Sequence, residues 1–300
     1  MRELVGLLLG LFIALGSLGI AVAQNQQPGL TQPPKVIVIG REYLKPGKAG
    51  MPHEETESAF VQAFARAKWP THYLAMDSLS GKTRSLFITP YDSFEAWEKD
   101  SLAIQKNTVL SAALDHASVA DGELLASTDQ GVFVLSDEYS LHPAVDMPRM
   151  RYFEIQVFHI RPGHDKEFDD AFKMVKAAYE KAVPDTHWAM FEEVLGGGAL
   201  GGGGVTYVLF TPMKSAAEMD HELMEDKQVL AALGDEGMKR VEELAAAAIE
   251  SSETNLFMFN PKMSYVPEAW IKADPDFWKP KLAPASDAAP KKAAEKPADN

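Results

Sequence analysis

Two stretches in which apolar and polar residues alternate, 35–43 and 151–159, each lead through a Pro-Gly turn into a segment where large apolar residues recur at helical spacing. Alternation of this kind predicts half-buried strands. Phe60, Phe64 and Ala67 after the first, and Phe168, Phe172, Val175 and Ala182 after the second, predict amphipathic helices lying on them. Both halves continue in the same order. Strands are predicted at 71–79 and 186–194, and again at 84–89 and 205–211. Thr-Pro is expected to stop the latter two, because proline cannot donate to a ladder. Helices follow at 93–106 and 215–233, then a further helix in each half, clearest at Met238, Val241, Leu244, Ala248 and Ile249. Val132–Leu135 and Asn255–Phe259 close the two units as strands. Each half therefore reads β-α-β-β-α-α-β, a split βαβ sheet with helices on one face.

The two halves also resemble each other residue by residue, at an offset of roughly 115–124 positions. Tyr43-Leu44-Lys45-Pro46-Gly47 answers to His159-Ile160-Arg161-Pro162-Gly163, and Pro70-Thr71-His72-Tyr73 to Pro184-Asp185-Thr186-His187-Trp188. Phe87-Ile88-Thr89-Pro90 answers to Leu209-Phe210-Thr211-Pro212, and Ala112-Ala113-Leu114 to Ala231-Ala232-Leu233. Because the matches keep their order, the chain is read as a tandem duplication. Each sheet carries apolar residues on the face away from its helices, and that face needs cover. Packing the two sheets against each other covers both, so the fold class is α+β: two ferredoxin-like βαββααβ repeats closed sheet to sheet into an intrachain α+β barrel.

Composition narrows the chemistry. The chain has 300 residues, 46% of them hydrophobic and 24% charged, which places it among globular proteins of about two domains. A net charge of −14 argues against nucleic acid and anionic lipid as partners. With no cysteine there is no disulfide, thiolate zinc site or cysteine nucleophile. Residues 1–23 have Arg2, an apolar run and Ala21-Val22-Ala23, the layout of a cleavable signal peptide; an uncleaved anchor is the alternative. The organisation expected is a leader at 1–23, a linker at 24–34, repeats at 35–148 and 149–270, and a Pro/Ala/Lys-rich disordered tail at 271–300. Trp270, Phe277 and Trp278 are expected to pin the chain end to the barrel. The mature protein is then exported, periplasmic or extracellular, without stable membrane insertion, and a homo-oligomer is possible.

Glu154-Ile155-Gln156-Val157-Phe158, shortly before Pro162-Gly163 and a helix with paired phenylalanines, resembles the start of NIPSNAP-type domains. These belong to the dimeric α+β barrel superfamily, which includes cofactor-independent monooxygenases, haem-degrading enzymes and chlorite dismutases. Gln156 stands where the family has arginine, and the first repeat, with Val38-Ile39-Gly40-Arg41-Glu42, has no acid at the matching position. The resemblance implies the fold and, should the protein be an enzyme, cofactor-independent oxidation or isomerisation of a small organic substrate.

Several residues are candidates for chemistry. His72 and His187 occupy matching places at a strand start; facing the lumen they would be proton carriers or ligand anchors, and otherwise their rings are bonded to a loop. Strand parity places His187 with Ala189 and Phe191, opposite Trp188 and Met190. Glu154, Gln156 and Phe158 share one face, and a lumen-facing Glu154 would serve as a general base or pair with Arg41 or Arg151 across the seam. Trp188, Tyr73, Gln156, Phe158 and Phe191 are the expected ligand walls. His159 and His164 lack a third ligand in sequence range, so no metal site is expected there. His221 is the ligand in a haem alternative, by position on the helix after the third strand. The glycine-rich segment Gly196–Gly204 lacks a P-loop lysine and precedes a strand, which makes it a connection rather than a phosphate cradle. The expected partner is thus a small, partly apolar molecule between the sheets, without a cofactor. The alternative from another class is a non-catalytic envelope module with a filled lumen that binds a protein.

Overall fold

A computed structural model describes residues 30–196 and 204–279, with the backbone alone of 221–224. The leader predicted at 1–23, most of the glycine-rich segment and residues 280–300 lie outside the described residues. The first repeat contains β1 (Val36–Leu44), α1 (Met51–Ala67), β2 (Leu74–Ser78), β3 (Arg84–Tyr91), α2 (Phe94–Lys106), α3 (Thr108–Gly122) and β4 (Leu125–Leu141). The second contains β5 (Tyr152–Ile160), α4 (Asp165–Ala182), β6 (Trp188–Leu195), β7 (Thr206–Met213), α5 (Met219–Ala248) and β8 (Ile249–Phe259), followed by two short helices, α6 (Glu268–Ala273) and α7 (Pro275–Trp278). Ser93 caps α2, its Oγ accepting from the Ala96 amide at 3.1 Å, and Asn107 caps α3 through the Leu110 amide at 3.1 Å.

All eight strands form one closed barrel in the order β1-β3-β2-β8-β5-β7-β6-β4. Within each repeat the order is the split βαβ one predicted from the sequence, and the repeats meet at two hydrogen-bonded seams, β2 with β8 and β4 with β6. Strand parity then sorts every residue into the lumen or the helix layer. Ile37, Ile39, Met76, Phe133, Phe153 and Phe257 belong to one buried cluster that fills the middle of the lumen. Phe158, Phe168, Phe172, Tyr179 and Trp188 belong to another, beneath α4 and α5. The barrel end toward which β1 and β5 run is closed by polar groups: Arg41 bonds Asp129, Arg84 reaches Glu253 at 3.1 Å, and His159 Nδ1 lies 3.1 Å from Thr206 Oγ1. His159 thus serves the barrel floor. The chain end is pinned as expected, but disorder does not begin at 271, because the helices through Trp278 pack on the barrel: Trp278 Nε1 donates to the Pro148 carbonyl at 2.8 Å and the Arg151 guanidinium lies 4.0 Å from the Phe277 ring centre.

Three expectations need correction. Thr-Pro does not stop β3 or β7, since Pro90 pairs with Ile37 and Pro212 with Phe153. β2 and β6 leave their neighbours after Ile88 and Phe210, so the missing proline donors face an edge with no ladder to complete. β4 is far longer than 132–135, because its exposed polar start pairs with β1 and carries no apolar alternation. The two helices predicted after β7 run on as α5 across Gly234, whose φ of 69° breaks the helical path. Truncating the lumen centre tests the closure: Phe257, 0% exposed, should cost about 3–5 kcal/mol on mutation to Ala, read as a lowered urea midpoint.

Candidate functional site

The lumen is not filled along its whole length. At the end where β1, β2, β5 and β6 begin, a cavity of about 700 Å³ opens between the sheets. Ile37, Leu74, Ile88, Phe153, Phe191 and Phe210 form its floor and walls, with Val266 and Trp270 arching over it from the segment after β8. Lys35 and Asp92 are its only charged lining residues among those described, and both are solvent-exposed. A site of this size and lining fits a small apolar molecule.

His72 and His187 both line this cavity, as expected from their matching positions. The His187 ring is 8% exposed and its Nε2 lies 3.1 Å from the Pro212 carbonyl oxygen. Burial pushes its pKa below the usual 6.5, against the opposing pull of the backbone contacts at Pro212 and Asp185. His72 stacks on Tyr265 with ring centres 4.7 Å apart, and burial lowers its pKa as well. At neutral pH the cavity therefore presents two uncharged imidazoles, each steadied by the surrounding chain. A neutral imidazole can donate or accept a single hydrogen bond, or relay a proton, without bringing net charge into an apolar site.

Phe191 lies on the cavity wall as predicted. Trp188 and Tyr73 border the cavity too, but their rings are engaged elsewhere. The Trp188 ring sits edge-on to Tyr179, centres 5.5 Å apart, and its Nε1 donates to the Tyr139 carbonyl at 2.6 Å in the helix layer. Tyr73 likewise packs against Phe64 of α1 and Phe87. Glu154, Gln156 and Phe158 do share a face, yet it is the helix face: Phe153 and Ile155 take the lumen positions of β5. Glu154 is 3% exposed and accepts from Gln156 Nε2 at 3.1 Å, so it is no base for the lumen. Nor is it the seam partner of Arg41, which bonds Asp129, or of Arg151, which bonds Asp274. The one-residue parity decides this, and periodicity alone does not say which apolar face of a doubly covered strand is inward.

Sequence reasoning missed a second cluster altogether. Under α1 and α3, Glu42, His53, Glu57 and Asp121 converge on the helix face of the first sheet. Their signal was present: His53 and Glu57 are four residues apart on one helix, hence on one face. The His221 side chain lies outside the described residues. Beneath α5 the described part of the helix layer is packed with aromatic rings, Phe168 stacking on Tyr207 with centres 4.9 Å apart.

The strand order, the helices on one face of each repeat and the two seams decide the architecture. This is a closed α+β barrel of two split βαβ sheets, built from a single chain. Among solved structures, an anthrone oxidase-like protein superposes with a TM-score of 0.46 at 12% identity, covering 75% of this chain and 91% of its own. A haem-binding protein from Thermus thermophilus gives 0.41 at 14% identity, covering 81% and 96%. A chlorite dismutase variant from Candidatus Nitrospira defluvii gives 0.41 at 9% identity, covering 80% and 95%. No protein-family profile matches the chain, and no curated protein does.

The lowered pKa of His187 makes a prediction of definite sign. The folded barrel binds this proton more weakly than the unfolded chain, so its contribution is intact above about pH 6.5 and is lost as pH falls below that value. His72 acts in the same direction, and His53, raised by its carboxylate neighbours, in the opposite one. In His187→Gln the fall in urea midpoint between pH 7.5 and 5.5 should be smaller than in the parent chain; equal slopes would contradict the assignment.

Proposed function

We propose that this protein is an exported ligand-binding barrel that holds one small, uncharged, largely apolar organic molecule in the cavity at the mouth of its lumen. The observation that carries this reading is the 700 Å³ apolar opening between the two sheets with His72 and His187 on its wall. Burial of aliphatic and aromatic ligand surface supplies the affinity. A hydroxyl or carbonyl on the ligand finds its partner in a neutral imidazole, because an unpaired polar group would be costly in such surroundings. A protein-interaction module with a solid lumen has less support, since a filled barrel has no need of the opening.

Where the ligand is also a substrate, the reaction class proposed is cofactor-independent oxidation or isomerisation, with His72 and His187 moving the proton. Kinship with NIPSNAP-type domains, drawn from Glu154-Ile155-Gln156-Val157-Phe158 and Pro162-Gly163, belongs to the same proposal. Export rests on the leader at 1–23, and the mass of the mature chain tests it: cleavage after Ala23 leaves a protein beginning at Gln24.

Ala189 lies on the cavity wall with its side chain toward the space, so Ala189→Trp should fill it. Titration with Nile red, a neutral apolar dye, should show one saturable site per chain in the parent protein and at least a tenfold weaker one in the variant. Equal binding by both proteins, or none by the parent, would remove the cavity from consideration.

A further inference from the structure

The helix layers of the two repeats differ in kind. In the second repeat Phe158 of β5 pairs with Tyr207 of β7, and Phe168 and Phe172 cover them. The matching pair in the first repeat is Glu42 of β1 and Ser85 of β3. Above it, α1 contributes His53 and Glu57, and α3 contributes Asp121. One ligand atom from each of Glu42, His53, Glu57 and Asp121 lies within 4.8 Å of all the others. His53, Glu57 and Asp121 are 1%, 3% and 2% exposed. Burying three carboxylates against one imidazole is costly, and no lysine or arginine pairs with any of them among the described residues.

Two unsatisfied groups point into this cluster. Glu57, 3% exposed, makes no hydrogen bond or ion pair among the described residues. The Tyr73 hydroxyl is fully buried without a partner and feels first burial and then the charges of Glu57 and Glu42. The imidazole is meanwhile oriented as a ligand. His53 Nε2 lies 2.9 Å from Glu42 Oε2 and 3.5 Å from Asp121 Oδ1, while Nδ1 lies 3.4 Å from Ser85 Oγ. Ser85 donates its own proton to Asp77 Oδ1, and Asp77 Oδ2 accepts from Asn260 Nδ2 at 2.8 Å. The Ser85 oxygen is left to accept from Nδ1–H, while Nε2–H donates to Glu42 Oε2, so a cation between them would take the place of that Nε2 proton; a relay on the far nitrogen is the usual second layer behind a metal-bound histidine.

We propose that Glu42, Glu57 and Asp121 through carboxylate oxygens and His53 through Nε2 bind one divalent transition-metal cation of the manganese, iron or zinc class. The mixed oxygen and imidazole set favours these over magnesium and calcium, which take oxygen alone. A cleft of about 440 Å³ lies beside the cluster between α1 and α3, and Thr56 on its wall donates to Asp121 Oδ1 at 2.7 Å. The cation offsets the buried negative charge.

The test uses the full chain stripped with EDTA and titrated separately with Mn²⁺, Zn²⁺ and, without oxygen, Fe²⁺. Metal content by mass spectrometry and the thermal midpoint are the readouts. One cation per chain and a raised midpoint are expected with at least one of the three, and a smaller effect with Mg²⁺ or Ca²⁺. Glu57→Gln should lose the bound metal and the metal-dependent rise, yet melt in EDTA no lower than the parent, since a buried carboxyl has become a neutral amide. Asp121→Asn gives the same comparison should Glu57→Gln not fold. Ser85→Ala should keep the stoichiometry and weaken binding about tenfold or more. Failure of all three cations to bind stoichiometrically would overturn the proposal, as would undiminished binding in both carboxylate variants. Dye binding in the lumen should be unaffected by EDTA.

Discussion

Hydrogen bonding across two seams, β2 to β8 and β4 to β6, is what the rest of the structure depends on. A four-stranded sheet with helices on one face leaves the other face bare, and here that face carries Ile37, Met76, Phe153 and Phe257. Neither half can expose such a surface to water. Closure gives each sheet the other as its cover and gives every strand a neighbour on both sides. It also fixes where space can remain. Large side chains meet in the middle of the lumen and charged pairs close one end, so the opening is confined to the mouth where the first strands of both repeats begin.

Duplication followed by divergence explains the division of labour. The lumen needs apolar residues from both halves and has them. The helix layers are independent of each other, and they have parted: the second is an aromatic core around Phe158, Phe168 and Tyr207, the first a buried polar cluster around His53. A layer with Glu and Ser at the strand positions where its counterpart has Phe and Tyr forgoes packing energy. Such a loss is explicable where the polar groups bind something, and the lone carboxyl of Glu57 together with the lone hydroxyl of Tyr73 marks the place.

Much of this was legible in the residues. The repeat at Tyr43–Gly47 and His159–Gly163 gave the duplication, and the bare apolar faces gave the barrel. His72 and His187, which stand at matched positions in the two copies, both line the cavity. Other features escaped for physical reasons. A strand covered on both faces is apolar on both, so alternation could not say whether Glu154 or Phe153 looks inward. The ends of β3 and β7 were misjudged because Pro90 and Pro212 sit where the adjacent strand has already departed. Glu42, Glu57 and Asp121 are ordinary acids along the chain; only the convergence of β1, α1 and α3 makes them a cluster.

Hydrogen exchange at the seams examines the closed barrel most directly. The Leu79 amide donates to Leu256 at 2.7 Å and the Asn260 amide to Ala75 at 2.9 Å across β2 and β8, while Phe259 donates to Arg151 at 2.8 Å inside the second repeat. One cooperative barrel requires the first two to exchange as slowly as the third, all at the rate of global unfolding. Fast exchange at Leu79 and Asn260 beside a protected Phe259 would mean that the halves open separately, and the lumen could not then be the lasting cavity described above.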